Sequence, residues 1–178
     1  LRQLGGALHV FAHNGNLARA ALGLLAAPDG FLPVGETDSE QAFCVLLERL
    51  RPLWREAAAA PALAARRRVV ADFAVQLRAL GPANFIYADG DALFAHGHRR
   101  THADGDIRPP GLHVLCRTCD ANPSSLDTQG LRIVASHAAG AQALIASVPL
   151  TADKAWRPLA EGELLVLRAG RIELPLPL

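Results

Sequence analysis

Several residue types and patterns are scarce or missing in this chain of 178 residues. It contains no methionine and begins with Leu1, so we expect a fragment of a longer protein that lacks its beginning. The formal net charge is only +1, which favours neither a nucleic acid nor a membrane as partner. No uncharged apolar run of about 18 residues could span a bilayer, and no signal peptide opens the chain. These absences predict a cytoplasmic protein.

Cysteine is also scarce, with one residue in the first half of the chain and a Cys-x₂-Cys pair in the second. Three unevenly spaced cysteines do not make a disulfide framework, which agrees with a reducing compartment. Cys44 lies in an apolar helical pattern and is interpreted as a small core residue, not a nucleophile. Cys116 and Cys119 form half of a zinc pattern. The histidines upstream are irregularly spaced and no second pair exists, so we predict no metal and no cofactor; they are His96, His98, His102 and His113.

The composition, 51% hydrophobic and 20% charged, is enough to bury the core of one globular domain. The first clear strand is ALHVFAHNGN, and its Asn14-Gly15 pair is a common hairpin turn. The residues that follow are rich in alanine and leucine and do not alternate, so no returning strand is predicted. We therefore expect a turn that ends the strand and exposes a peptide N–H and an amide side chain. Such groups can donate hydrogen bonds to a developing negative charge.

A helix is predicted to begin near Asp38. Thr37 is followed three residues later by Glu40, which is the spacing of a capping box. The apolar residues after it follow helical spacing; they are Ala42, Phe43, Leu46, Leu47 and Leu50.

A second helical pattern is interrupted by or started at Pro61 and is closed by Gly81. Its apolar positions share one face; they are Val69, Val70, Phe73, Leu77 and Leu80. The three consecutive arginines at 66–68 are interpreted as a solvated helix face, since no interleaved aromatic residues suggest nucleic-acid binding.

Strand patterns dominate the rest of the chain. NFIYA and DALFAH flank a predicted two-residue turn at Asp89-Gly90. Further predicted strands are LHVLCR, LRIVAS, ALIASVPL, ELLVLR and RIEL, the last two joined by Ala169-Gly170. Helices early and antiparallel strands late predict an α+β fold in one domain, residues 1–178.

Four elements occur in a recognisable order. HNGN at residues 13–16 is followed by GETDSE at 35–40, which leads into an AFC helix. An N-F-x-x-x-D-G hairpin at 84–90 and a PLT…W element at 149–156 come later. In this order and spacing, from about Leu8 to Ile172, the chain resembles the class II glutamine amidotransferases, a branch of the N-terminal nucleophile (Ntn) hydrolases.

The resemblance implies a fold and a site. The fold is a sandwich of two sheets between two helical layers (αββα), of which this chain is an N-terminally truncated portion. The activity is hydrolysis of the glutamine side-chain amide to glutamate and ammonia, through a thioester on an N-terminal cysteine. Asn14 and Gly15 match the two oxyanion donors of the family. Asp38 matches the aspartate that holds the α-ammonium group of the substrate.

The departures from the family limit this expectation. Leu1 has neither thiol nor hydroxyl, so the nucleophile and the residues that bind the substrate carboxylate are expected upstream. The chain alone is expected to be inactive, and the missing segment is needed to complete the sheets. Two alternatives stay open: a hydrolase of a γ-glutamyl amide on a small metabolite, and a non-catalytic binding module with half of the site. The ammonia acceptor and the oligomeric state are not predicted.

Overall fold

A computed structural model describes residues 1–25, 30–55, 57, 59–119, 125–128, 131–134, 140–152 and 154–173. Within these residues no helix is long and apolar enough to cross a membrane. The helices are α1 Arg19–Gly23, α2 Asp38–Trp54 and α3 Leu63–Arg78. The strands are β1 Arg2–Leu4, β2 Ala7–Gly15, β3 Ala83–Ala88, β4 Leu93–His96, β5 Arg100–Thr101, β6 Ile107–Arg108, β7 His113–Cys119, β8 Ser125–Thr128, β9 Leu131–Val134, β10 Gly140–Ala146, β11 Arg157–Pro158, β12 Leu164–Arg168 and β13 Arg171–Ile172.

The main sheet has six antiparallel strands in the order β1-β2-β3-β4-β12-β13. The register of β2 on β3 places Asn14 opposite Asn84 and Gly15 opposite Ala83. The predicted turn at Asn14-Gly15 is therefore wrong. Both residues continue the strand, because β3 supplies a partner that lies far away in the sequence. No strand returns directly after Asn16, as predicted, since α1 follows.

Helix α2 begins at Asp38, as predicted, with Thr37 as its N-cap. The peptide N–H of Glu40 donates to the Thr37 hydroxyl at 3.2 Å. The Glu40 carboxylate does not complete the capping box. It accepts from the peptide N–H groups of Val34 at 3.0 Å and Gly35 at 2.7 Å, which ties the loop before the helix to its first turn.

Helix α3 begins after Pro61, so the proline precedes the helix and does not interrupt it. The predicted apolar faces of α2 and α3 pack together on one face of the main sheet, and this confirms both patterns. The solvated face predicted for the arginine run is wrong at Arg66, which is 1% exposed. Its guanidinium pairs with Asp89 at 2.6 Å and Asp91 at 2.5 Å, and this burial needs partners that the run itself does not show.

The β3–β4 connection also differs from the prediction. Residues 89–92 lie between the strands, and Ala88 pairs with Leu93. One carboxylate oxygen of Asp89 accepts the Ala92 peptide N–H at 2.9 Å, so a side chain replaces a peptide carbonyl in the turn. The turn between β12 and β13 is as predicted, with positive φ at both Ala169 and Gly170.

The second sheet has the order β10-β7-β11 and packs on the other face of the main sheet. Residues of β4 and β12 meet residues of β7 and the loop before β12 in a shared core; the buried members are Ala95, Leu112, Val114, Leu159, Leu165 and Leu167. The described layers are thus helices, sheet, sheet. The α+β fold with antiparallel sheets is confirmed, and the second helical layer of the sandwich stays a prediction.

Candidate active site

The HNGN segment lies where β2 ends and β3 begins. Asn14, Gly15 and Asn16 are all exposed, whereas Leu17 is 3% exposed and belongs to the core. The polar groups of the segment therefore face solvent, while the adjacent Leu17 is packed in the core.

Asn84 fixes the backbone of this segment. It is 1% exposed, and its Nδ2 donates to the peptide oxygens of Asn14 at 3.0 Å and Arg99 at 2.6 Å. Its Oδ1 accepts the His98 peptide N–H at 2.7 Å. One buried amide thus joins β2 to residues 97–99. In the sequence Asn84 stands out only as part of a hairpin motif, and the signal of its structural role is its position at the start of a strand.

Gly15 is required by a close approach of the chain. A Cβ on Gly15 would lie 1.8 Å from the peptide oxygen of Pro82 and 2.8 Å from Nε2 of His13. A real side chain does not fit there, because such contacts are far shorter than van der Waals separations. Close packing against Pro82 and His13 thus explains why this position is a glycine. The role of Gly15 toward a substrate stays a prediction.

Asp38 connects helix α2 to the HNGN segment. Its Oδ2 accepts the Leu17 peptide N–H at 2.8 Å, and its Oδ1 accepts the Ser39 peptide N–H at 2.7 Å. The sequence-predicted site residues are therefore brought together, since Leu17 follows directly on this segment. A carboxylate offers about four acceptor positions, so Asp38 keeps capacity for a further donor.

His13 lies beneath the exposed residues and bridges two segments. Its Nε2 donates to the Pro82 peptide oxygen at 3.2 Å, because a carbonyl can only accept. In the neutral ring Nδ1 then accepts from the Ser39 hydroxyl at 3.0 Å. Burial lowers the pKa of His13, against the raising effects of the Pro82 bond and the Asp38 charge. His13 is thus a neutral support for the site at pH 7.

The Asn14 side chain meets the second sheet. Its Nδ2 donates to the hydroxyl of Ser147 at 3.3 Å, just after the end of β10. Sequence reasoning did not find Ser147, because 133 positions separate the two residues.

The cysteines lie apart from these residues, and the histidines between 96 and 102 bind backbone groups. Cys44 is 3% exposed, as predicted for a core residue, and burial raises the pKa of its thiol. Cys116 is exposed, while the side chain of Cys119 lies outside the described residues. His96 and His98 bind the Ala83 peptide through their Nδ1 atoms, at 2.7 Å and 3.2 Å. In the part of the chain that is described, no three His, Cys, Asp or Glu residues are grouped to hold a metal.

Comparison with known families identifies the family of this chain. The family model described as glutamine amidotransferases class-II matches residues 1–176. The chain belongs to the class II glutamine amidotransferases.

Individual relatives are similar over most of this chain. It is 31% identical over 163 residues to a protein of Escherichia coli strain K12 named "Putative glutamine amidotransferase YafJ". It is 29% identical over 173 residues to a "Putative glutamine amidotransferase" of Haemophilus influenzae. These matches cover 91% and 96% of this chain but only 58% and 53% of the relatives' own lengths.

A solved structure shares the fold. The crystal structure of a "predicted glutamine amidotransferase" from Pseudomonas aeruginosa superposes with a TM-score of 0.76 at 29% identity. The superposition covers 98% of this chain and 63% of that one.

Proposed function

We propose that the protein containing this chain hydrolyses the side-chain amide of glutamine to glutamate and ammonia, through a thioester on a cysteine. One observation carries the proposal: the exposed Asn14 amide and Gly15 lie at the fixed end of β2, and the Asp38 carboxylate binds the peptide N–H of the adjacent Leu17. Membership of the family supports glutamine as the substrate.

Asn14 and Gly15 act on the oxygen of the scissile amide. Attack by a thiolate on the amide carbon moves an electron pair onto that oxygen and gives a tetrahedral oxyanion. The Asn14 side-chain amide and the Gly15 peptide N–H donate to this oxygen. Donors held in place before the reaction need no reorganisation as the charge develops, and Asn84 and Leu17 provide that rigidity here.

Asp38 binds the α-ammonium group of the substrate. Its two oxygens already accept peptide N–H groups of Leu17 and Ser39, which fixes the direction of the carboxylate. The free acceptor positions remain for an ammonium group. The carboxylate lies in the first turn of α2, where the helix dipole stabilises its negative charge.

The nucleophile is proposed to lie on a segment outside this chain. Successive residues of β2 alternate between faces, so Leu8, Val10 and Ala12 share the face of Asn14. Leu8 is 52% and Val10 43% exposed. Ala12 lies opposite Ile86, which packs into the core between the two sheets. The missing segment would extend the second sheet over this uncovered apolar face and bring the cysteine toward Asn14.

This chemistry uses no metal or cofactor, because the thiol, its base and the oxyanion donors suffice. Cys44 and Cys116 are free thiols, which supports the cytoplasm as the compartment of the protein.

The test compares the full-length protein with the present chain on glutamine and a panel of γ-glutamyl amides, with glutamate and ammonia as readouts. The full-length protein should release both from glutamine, and the chain alone neither. Turnover of another γ-glutamyl amide but not of glutamine would select the alternative substrate class. Substrate binding by the full-length protein without any turnover would select a binding module. Glutamate release by the chain alone, abolished by Asn14→Ala, would contradict the proposed upstream nucleophile.

A further inference from the structure

We infer that Ser147 is a positioning residue for Asn14: its hydroxyl accepts one N–H of the Asn14 amide and thereby directs the other N–H toward the oxyanion. The inference rests on the proposed role of Asn14. Ser147 itself does not touch the reacting atoms.

An exposed asparagine amide can rotate freely unless a neighbour holds it. The terminal torsion of asparagine has a broad, roughly two-fold distribution, so an unrestrained amide presents its NH₂ and its oxygen almost equally. An oxygen turned toward an oxyanion would repel it. In the structure Nδ2 of Asn14 lies 3.3 Å from Oγ of Ser147, so the NH₂ group faces the second sheet and donates one N–H to the hydroxyl. Because the NH₂ group is planar, fixing one N–H also fixes the direction of the other.

Ser147 is well placed to serve as a fixed acceptor. It follows Ala146, the last residue of β10, which pairs with His113 of β7. Burial lowers the pKa of His113, and the Ser147 backbone beside the ring opposes that shift.

The loop after Ser147 is held at its far end. The indole N–H of Trp156 donates to the Thr151 hydroxyl at 3.0 Å. Trp156 is 8% exposed and packs with Leu115 and Leu150 on the second sheet. The PLT…W element thus has a structural purpose, since it fixes the segment that carries Ser147.

The contact contributes more to orientation than to stability. Asn14 is exposed, and a neutral hydrogen bond of 3.3 Å at the surface is long and competes with water. The backbone of Asn14 is held independently by Asn84. Loss of the Ser147 hydroxyl should therefore leave the fold intact and change only the direction of the Asn14 amide.

The first experiment measures steady-state kinetics on the full-length protein. Ser147→Ala should lower kcat roughly threefold to tenfold with KM unchanged, the equivalent of one neutral hydrogen bond. Ser147→Thr keeps the hydroxyl and should restore kcat. Val148→Ala, at the exposed neighbouring position, is the matched control and should leave both parameters unchanged.

The second experiment uses a γ-aldehyde analogue of glutamine. The cysteine thiolate adds to the aldehyde carbon, and the former carbonyl oxygen takes the electron pair and occupies the oxyanion position. Ser147→Ala should weaken this inhibitor by the same factor as kcat, while the affinity for the product glutamate stays unchanged. A purely structural defect would weaken both ligands.

The outcomes separate this inference from the proposed function. If Asn14→Ala lowers kcat while Ser147→Ala matches the wild type, the role of Ser147 is wrong and the proposed function stands. If Ser147→Thr is as slow as Ser147→Ala, the hydroxyl is not the cause and the inference is also wrong. If the full-length protein turns over no γ-glutamyl amide, both are overturned.

Discussion

The two ends of the β2–β3 strand pair treat polar groups in opposite ways. At the β3–β4 connection, Arg66 and Asp89 are almost completely buried and bind each other, while Asp91 links Arg66 to Arg168. At the other end, Asn14 and Gly15 face solvent. We call the Arg66–Asp89 end the closed end and the Asn14–Gly15 end the open end. The charges of the first end satisfy one another, whereas the donors of the second remain available to a ligand.

The difference separates a part of the fold that contributes to stability from the part that carries the candidate site. A buried ion pair recovers its desolvation cost only through close partners, so the Arg66 end tolerates little change. The open end obtains its rigidity from groups beneath the surface, namely Asn84, His13 and Asp38. Its exposed groups can then point outward without being loose, which suits a site that must be ready before a substrate arrives.

The largest effect is expected at the closed end. Arg66→Met removes the cation and leaves the Asp89 carboxylate buried without its partner, so the free energy of unfolding should fall by about 3–5 kcal/mol. Chemical denaturation of the full-length protein measures this change. Arg68→Met, at an exposed position of the same helix, is the control and should change stability by less than about 0.5 kcal/mol. Equal stability of the two variants would show that the buried cluster contributes nothing.

At the open end, the expected cost is in rate and not in stability. Asn14→Ala in the full-length protein should lower kcat by about 10²–10³ with KM nearly unchanged, since the donated bond is strongest in the tetrahedral state. Steady-state kinetics measures this, with the free energy of unfolding as the control that should not move. A change in KM alone would remove Asn14 from the oxyanion site.

Lowering the pH should also affect the stability of the two ends differently. His96 is fully buried below the open end, and desolvation lowers its pKa from 6.5 to about 4. Between these two pH values the unfolded chain therefore binds more protons than the folded chain. The contribution of neutral His96 to the free energy of unfolding is fully present above pH 6.5 and falls as the pH drops toward 4. The loss is at most about 3.5 kcal/mol, at about 1.4 kcal/mol for each pH unit.

The measurement is the free energy of unfolding across that pH range for the wild type and His96→Asn. Asparagine keeps a donor for the Ala83 peptide oxygen but does not titrate. The variant should therefore show a flatter pH dependence than the wild type. At the closed end, hydrogen bonds from Arg66 and Arg168 lower the pKa of Asp91, so Asp91 should keep its charge over most of the range. Parallel curves for the two proteins would show that His96 is not responsible.

The smallest effect concerns binding at the open end. Asp38→Asn should raise KM about tenfold to a hundredfold and change kcat less, because the ammonium group is charged in both the ground and the transition state. Asparagine retains one oxygen for the Leu17 N–H, so the fold should persist. Asp72→Asn, an exposed aspartate on α3, is the control for charge alone. Unchanged kinetics in Asp38→Asn would exclude the proposed ammonium contact.

The features that could be predicted from the sequence are those whose cause is local. The start of α2 follows from Thr37 and Glu40, three residues apart, and the buried faces of both helices follow from their periodicity. Arg66 was misinterpreted because its partners lie 23 and 25 residues further on. Asn14-Gly15 was assigned to a turn because its partner strand begins at Ala83. Asn14, Gly15 and Asp38 are proposed as site residues from motif order, while the contacts of Asn14 with Asn84 and Ser147 depend on the fold.

The pairing of Asn14 and Gly15 in a strand also affects how readily Asn14 can deamidate. In a flexible Asn-Gly sequence, the peptide nitrogen of the glycine attacks the side-chain carbonyl carbon of the asparagine, and ammonia leaves to give a cyclic imide. Water then opens the imide and leaves a carboxylate. At Asn14 that change would place a negative charge in the proposed oxyanion site. Pairing of β2 with β3 and the close Pro82 carbonyl hold the Gly15 backbone extended and away from that attack. The rigidity that the proposed function requires of these donors thus also protects the Asn14 amide from deamidation.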